Sequence, residues 1–323
     1  MLLSLACAGT PAPRPRPAPP AAAAVETVRV QFEDRGAVTV RDIPLEAYVA
    51  AAALSEFAPA AGAPAAVDAM YEVQTIVART YAAAHRGRHA REGFDLCATT
   101  HCQLYEPGRL VTSRWADAAR RASDRTAGLL VLYDGTPADA VFHADCGGAT
   151  SAAADVWGGT GRPYLAARVD DGDASAAHVG WQYAVDADAL RRMLDADPQL
   201  RIGGPLTAIS VVSRDVSGRV GRLRLQSSAG ARDVTVIGTT LRDAMSATFG
   251  ARALRSTLFD VAHRGSQFVF SGKGFGHGVG LCQVGALARV TAGEDPRAVL
   301  ERYYPGTIIG ALPVRRSSHT PPD

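Results

Sequence analysis

Glycine stands at every second position from Gly272 to Gly280, in the run Ser271-Gly272-Lys273-Gly274-Phe275-Gly276-His277-Gly278-Val279-Gly280-Leu281-Cys282-Gln283. Side chains of a strand alternate between its faces, so five glycines in this register predict one face without side chains. Interior glycine weakens a strand, and such a run is expected only where another backbone or a sugar ring comes close. The other face would carry Lys273, Phe275, His277, Val279 and Leu281. No triplet fits the G-x-G-x-x-G dinucleotide fingerprint. The run is not a phosphate loop either, because Gly272-Lys273 is followed by Gly274 and not Ser or Thr. Taken alone, the run also fits a bulged strand packed on a helix.

The surrounding chain narrows the choice. Its 323 residues are 47% hydrophobic and 20% charged, ordinary for a globular protein with one or two domains. The net charge of +2 argues against a polyanionic partner. Of 34 basic residues only Lys273 is lysine, which with the high alanine content reads as coding bias. There is no basic run with an aromatic platform, so no nucleic acid is expected as a partner. No stretch reaches the ~18 apolar residues of a membrane span. Residues 1–24 read as a truncated or mis-started lipoprotein signal and Pro/Ala-rich tether, with Ser4-Leu5-Ala6-Cys7 a loose cleavage box and Cys7 the lipidated residue. A disordered tail fits the same residues.

Val25 to Val30 and Ala37 to Val40 predict a hairpin turning at Asp34-Arg35-Gly36. Asp42-Ile43-Pro44 then opens a helix, with Asp42 its cap. Leu45, Tyr48, Val49 and Ala52 form an apolar stripe, and its extension reaches Glu56. Burial disfavours a carboxylate's charged form and raises its pKa, as a general acid requires. A helix-end Glu reaching solvent fits the same position. A second helix over about Ala65 to Ala84 carries Gln74 on its apolar face. Such a Gln either staples the core or orients a ligand. Cys97, His101 and Cys102 fall within six residues, and thiolate and imidazole are zinc ligands. Cys146 and Cys282 complete an even set of four cysteines apart from Cys7, which an exported chain could pair as disulfides. Buried free thiols are the third option.

In order along the chain these motifs resemble the stage II sporulation protein D and amidase enhancer family. Pro44 to Val49 with Ser55-Glu56 resembles its opening helix and catalytic glutamate, and Val73 to Tyr81 its "AQAxAARTYA" helix. Cys97 to Tyr105 resembles "CDTTHCQVY", and Phe142 to Thr150 resembles "FHSxCGGxT". Leu241-Arg242 with Arg255-Ser256-Thr257 resembles "FR…L-x-S-T-x-F". Gly272 to Ala286 resembles "GRGWGHGVGLCQWGA", and Tyr303 to Thr307 matches "YYPGT". Glu72 stands where the family often has Lys, and the segment between Glu56 and Gln74 is longer and richer in Ala and Pro than expected.

The resemblance implies an α+β fold, with a helical N-terminal part and a β-rich body over residues 25–312. An inserted subdomain is expected at 169–251, a cleft between it and the body, and a disordered tail at 313–323. It implies a lytic transglycosylase cleaving peptide-stripped peptidoglycan strands to 1,6-anhydro products, with Glu56 as acid and base. Gln74, Arg79, Tyr105, His277 and Gln283 are the implied sugar contacts, although His277 also reads as a structural histidine. A cell-wall amidase is the implied partner and the cell envelope or periplasm the location. Membrane contact would come only through a lipid at Cys7. A non-catalytic, glycan-binding enhancer of an amidase is the second reading. A zinc hydrolase on Cys97, His101 and Cys102 with an open ligand position is the third. Structural zinc on Cys97, His101, Cys102 and Cys146 is expected over disulfides, because a Cys97–Cys102 bridge would close only a short loop.

Overall fold

Eight residue pairs zip the first hairpin together, from Thr27↔Pro44 to Asp34↔Ala37. Its strands are β1 (Thr27–Asp34) and β2 (Ala37–Pro44) in a computed structural model that describes residues 26–34, 36–171, 180–228 and 234–311. The expected segment 1–24 with Cys7, turn residue Arg35 and the tail 313–323 lie outside the described residues. Because β2 runs through Asp42 to Pro44, Asp42 is a strand residue and not the expected cap. Helix α1 (Leu45–Glu56) follows directly, with Pro44 at its start and no side-chain cap. Tyr48 through Ser55 are all buried, so α1 is enclosed on every side and not along one stripe. Its run of alanines allows this, since small side chains let neighbouring helices approach closely.

Helix α2 (Pro64–Ala84) packs on α1 and begins with proline at its first turn. Strand β3 (Leu96–Cys97) adds to β1 in parallel. Helices α3 (Arg109–Thr112) and α4 (Ala116–Arg125) close over α1 and α2. Strands β4 (Leu130–Tyr133) and β5 (Thr136–Pro137) form a small antiparallel sheet. Next come β6 (Phe142–His143), β7 (Ala149–Thr150), α5 (Ala153–Trp157) and β8 (Arg168–Val169).

A second hydrophobic core then begins. It holds β9 (Trp181–Asp186), α6 (Ala187–Ala196), β10 (Leu206–Arg214), β11 (Val220–Ser227), β12 (Val234–Ile237) and α7 (Gly238–Phe249). Strands β13 (Phe259–Arg264) and β14 (Gln267–Gly272) belong to it too, because β14 pairs with β9 along its whole length. This unit therefore reaches past residue 251, where the expected insertion ends. The chain returns to the first core through β15 (Leu281–Cys282), α8 (Gln283–Thr291), α9 (Pro296–Tyr303) and β16 (Ile308–Gly310). Helices packed with several small sheets make the α+β class, and the described residues form no barrel. No helix among the described residues is long and apolar enough to cross a membrane.

The glycine run is not the expected strand. Only Gly272 ends one, and Gly274, Gly276, Gly278 and Gly280 all have positive φ. The sign of φ alternates along the run, so no flat glycine face forms. The close approach is to the protein itself. A Cβ on Gly278 would lie 2.3 Å from Arg219 Cζ, and one on Gly280 2.1 Å from the Val141 carbonyl oxygen.

Candidate functional site

Glu56 is the last residue of α1, and its side chain is only partly exposed. Its Oε1 accepts the Leu104 backbone N–H at 2.6 Å. Its Oε2 has no hydrogen bond among the described residues, which leaves that oxygen to carry a transferable proton. Burial pushes the carboxyl pKa above the usual range; the Leu104 hydrogen bond opposes this and the charge of Glu106 adds to it. Next to Glu56, the Ser55 hydroxyl accepts the Glu106 N–H at 2.9 Å, so the segment on either side of Tyr105 is pinned twice to the end of α1.

Gln74 and Gln283 meet Glu56 from opposite ends of the sequence. Gln283 opens α8, and its Nε2 donates to the Glu56 carbonyl and to Gln74 Oε1, each at 3.2 Å. Gln74 is wholly buried, and its Nε2 has no hydrogen-bond partner among the described residues. A buried amide donor left unsatisfied costs about 1–3 kcal/mol, more than core packing alone would justify.

Arg79 and Tyr105 are placed differently. The Arg79 guanidinium is buried and forks onto Glu46, with Nε to Oε1 at 2.8 Å and Nη2 to Oε2 at 2.5 Å. Its remaining donors meet the carbonyls of Thr75, Ser123 and Leu129. It braces α1 against α2 and α4 and presents nothing to a sugar. Tyr105 is a core aromatic, stacked on Tyr48 at 4.9 Å and edge-on to Phe32.

His277 sits in the glycine loop, 5.1 Å between ring centroids from exposed Trp157 and 5.5 Å from buried His143. Its Nδ1 accepts the Val279 N–H at 3.0 Å. Burial depresses its pKa to about 4, against an opposing hydrogen bond to the Phe142 backbone, with Arg242 and Arg219 adding to the depression. It is a neutral ring at pH 7. Two cavities of about 480 and 280 Å³ open elsewhere, and neither is lined by Glu56, Gln74 or Gln283.

The expected metal set is corrected in one member. His89, Cys97, His101 and Cys102 place one ligating atom each within 4.8 Å of one another. Cys146 is not among them and instead lies with His143 and Cys282. The reason is topological: β6 pairs with β15 and carries the Cys146 loop to the start of α8, while the Cys97 loop hangs from β1. The Cys146 N–H donates to Cys282 Sγ at 3.2 Å, so the four cysteines form two groups.

The donor chemistry of the first group fits zinc. His89 Nε2 lies 3.3 Å from Cys102 Sγ, and His101 Nδ1 lies 3.5 and 3.6 Å from the two sulfurs. The other nitrogen of His89, Nδ1, bonds Glu92 Oε1 at 2.8 Å, the carboxylate–histidine arrangement that orients metal-bound imidazoles. Two sulfurs and two nitrogens make a closed tetrahedral set without an open position for water, as in structural sites. His89 escaped the sequence reading, which took distant Cys146 as the fourth donor although His85 and His89 stood just upstream of the cluster. Trp157 and the Leu104 N–H were missed for a different reason: neither leaves a motif.

Residues 33–133 match the family model described as stage II sporulation protein, and residues 175–280 match a domain of unknown function. The amidase enhancer of Bacillus subtilis is 27% identical over 278 residues, covering 74% of this chain and 37% of its own length. The chain thus spans just over a third of that relative. Stage II sporulation protein D of the same organism is 25% identical over 282 residues, covering 84% of this chain and 76% of its own. An uncharacterised protein of Brachyspira hyodysenteriae is 28% identical over 273 residues, covering 84% and 68%.

Proposed function

We propose that this member of the stage II sporulation protein D and amidase enhancer family acts on the cell wall as a lytic transglycosylase, with Glu56 as its acid and base. The observation that carries this reading is the Glu56 carboxyl itself. Its desolvation favours the protonated form, and one oxygen is fixed by Leu104 while the other is left for substrate.

Glu56 protonates the glycosidic oxygen leaving the MurNAc anomeric carbon, and the C1–O bond breaks. The resulting carboxylate then takes the proton of the MurNAc C6 hydroxyl as that oxygen bonds C1. The product is a 1,6-anhydro ring, and Glu56 ends protonated as it began. No water enters, so the second carboxylate that flanks the bond in hydrolytic glycosidases is not required. Gln283 holds the Glu56 backbone and is itself held by buried Gln74 through Oε1. His277 with exposed Trp157 offers an aromatic surface for a sugar face.

Zinc held by His89, Cys97, His101 and Cys102 would serve as a structural clamp on the segment whose next residues pin Glu56. The family relationship supports action outside the cytoplasm beside a cell-wall amidase. One relative's description as an amidase enhancer supports a second reading, glycan binding that stimulates an amidase without cleavage. Mass analysis of products from peptide-free glycan strands separates the two. Anhydro-terminated products from the wild type and none from Glu56→Gln support the lytic reading. Strand binding without anhydro products from the wild type overturns it.

A further inference from the structure

The cavity of about 480 Å³ lies at the C-terminal end of α2, where His85, Tyr133, Asp139, Arg162 and Tyr164 face it. His85 is eleven residues beyond Gln74, which is three helical turns on the same face and about 16 Å along the axis. The Glu56 site and this cavity are therefore separate.

Its walls are built from polar groups held in place. Asp139 lies between two nitrogen bases, with His85 Nε2 at 3.2 Å and Arg162 Nε at 3.5 Å. His85 is itself steadied by Nδ1 against the Tyr81 carbonyl at 3.0 Å and by a stacked Tyr81 ring. The Asp139 N–H donates to the Tyr164 hydroxyl at 2.9 Å, which leaves that hydroxyl's own proton to be donated. Asp139 Oδ1 is buried, and it is the oxygen that His85 Nε2 approaches. Tyr133 and Tyr164 tilt against each other at 4.9 Å and form an apolar wall. An ion cluster that served packing alone would fill this space, whereas this one surrounds it.

The geometry points to a second saccharide site here, one that takes a single sugar ring bearing a carboxylate. Tyrosine faces suit the C–H side of a sugar, and Asp139 with the Tyr164 hydroxyl suits its hydroxyl groups. The volume lies toward the lower end of small-molecule sites, enough for one substituted ring. Arg162 sets the charge preference: its side chain is 57% exposed and can leave Asp139 to meet an incoming carboxylate. When Arg162 meets the anion, His85 Nε2 stays beside Asp139 at 3.2 Å. The site's place in wall recognition rests on the glycan reading above, but its chemistry does not.

The test uses the purified full chain and two probes, N-acetylmuramic acid and N-acetylglucosamine, which differ by the acidic lactyl group. Calorimetric titration is expected to show tighter binding of the acidic sugar. Arg162→Ala should weaken it by at least ~10-fold, the scale of a lost charge-assisted hydrogen bond, and Arg162→Lys by less. Glu56→Gln should leave this binding unchanged. Equal binding of both sugars, no binding by a normally folded chain, or indifference to Arg162→Ala overturns the proposal. Loss in Glu56→Gln places the sugar at the other site and overturns it as well. Anhydro products from glycan strands are read separately, so either idea can fail without the other.

Discussion

At the scale of single residues, Glu56 carries two predictions. The general-acid role proposed for it predicts that Glu56→Gln loses at least ~10²-fold in lytic rate while the fold persists, measured as anhydro-product release beside a circular dichroism spectrum. Full activity in that variant would end the mechanism. The second prediction concerns stability. Burial raises the pKa above 4.5, so the folded state holds this proton more tightly than the unfolded chain. Stability is then lost as pH rises from 4.5 through the raised value. Glu56→Gln removes the penalty, so in urea titrations the variant should gain on the wild type between pH 4 and 7. Arg79 carries the opposite lesson. Its ion pair with Glu46 stands at one of the most recognisable positions in the sequence, yet it faces inward. Glu46→Ala should destabilise the protein by up to ~3–5 kcal/mol, less to the extent that Glu46 is 40% exposed, because the buried guanidinium loses its counter-charge. A chemical denaturation midpoint that does not move would refute the brace.

At the scale of elements, the segment from β3 to α3 couples the four-donor cluster to the acid. Cys102 stands two residues before Leu104, whose N–H holds Glu56. Purification without chelators should yield about one zinc per chain by elemental analysis, and His89→Ala should lower that content. Chelation should lower the melting temperature and slow glycan cleavage together, since the clamp and the Leu104 hydrogen bond share one loop. A metal-free preparation with unchanged melting temperature would refute the clamp. The glycine run shows where sequence reading stops. Its spacing correctly pointed to close approach, because glycine is expected where there is no room for a Cβ. It could not reveal that the approaching groups are Arg219 and the Val141 backbone, nor that the φ signs alternate. The helices and the hairpin were legible because their periodicity is local. His89, the Leu104 N–H and the separation of Cys146 from Cys97 were not, because they depend on which strands pair.

At the scale of the whole molecule, acid should destabilise the chain through two desolvated imidazoles, buried His143 and partly buried His277. Desolvation holds His277 at about 4 and His143 well below its usual value, so the unfolded chain binds these protons first. Stability falls as pH drops below 6.5, and His277→Gln should flatten that fall in thermal melts taken from pH 6.5 to 4. An unchanged slope would show that His277 contributes nothing to it. The site itself spans the molecule. Gln283 reaches Glu56 across 227 positions and Gln74 across 209. Ribosomes deliver Glu56 early and Gln283 late, and the entire second core must be threaded out between them. A nascent or truncated chain that ends before α8 therefore has its acid without the amide that holds it. The corner around Glu56 is complete only once α8 has been made, so a chain cut short before α8 carries the acid side chain without its brace.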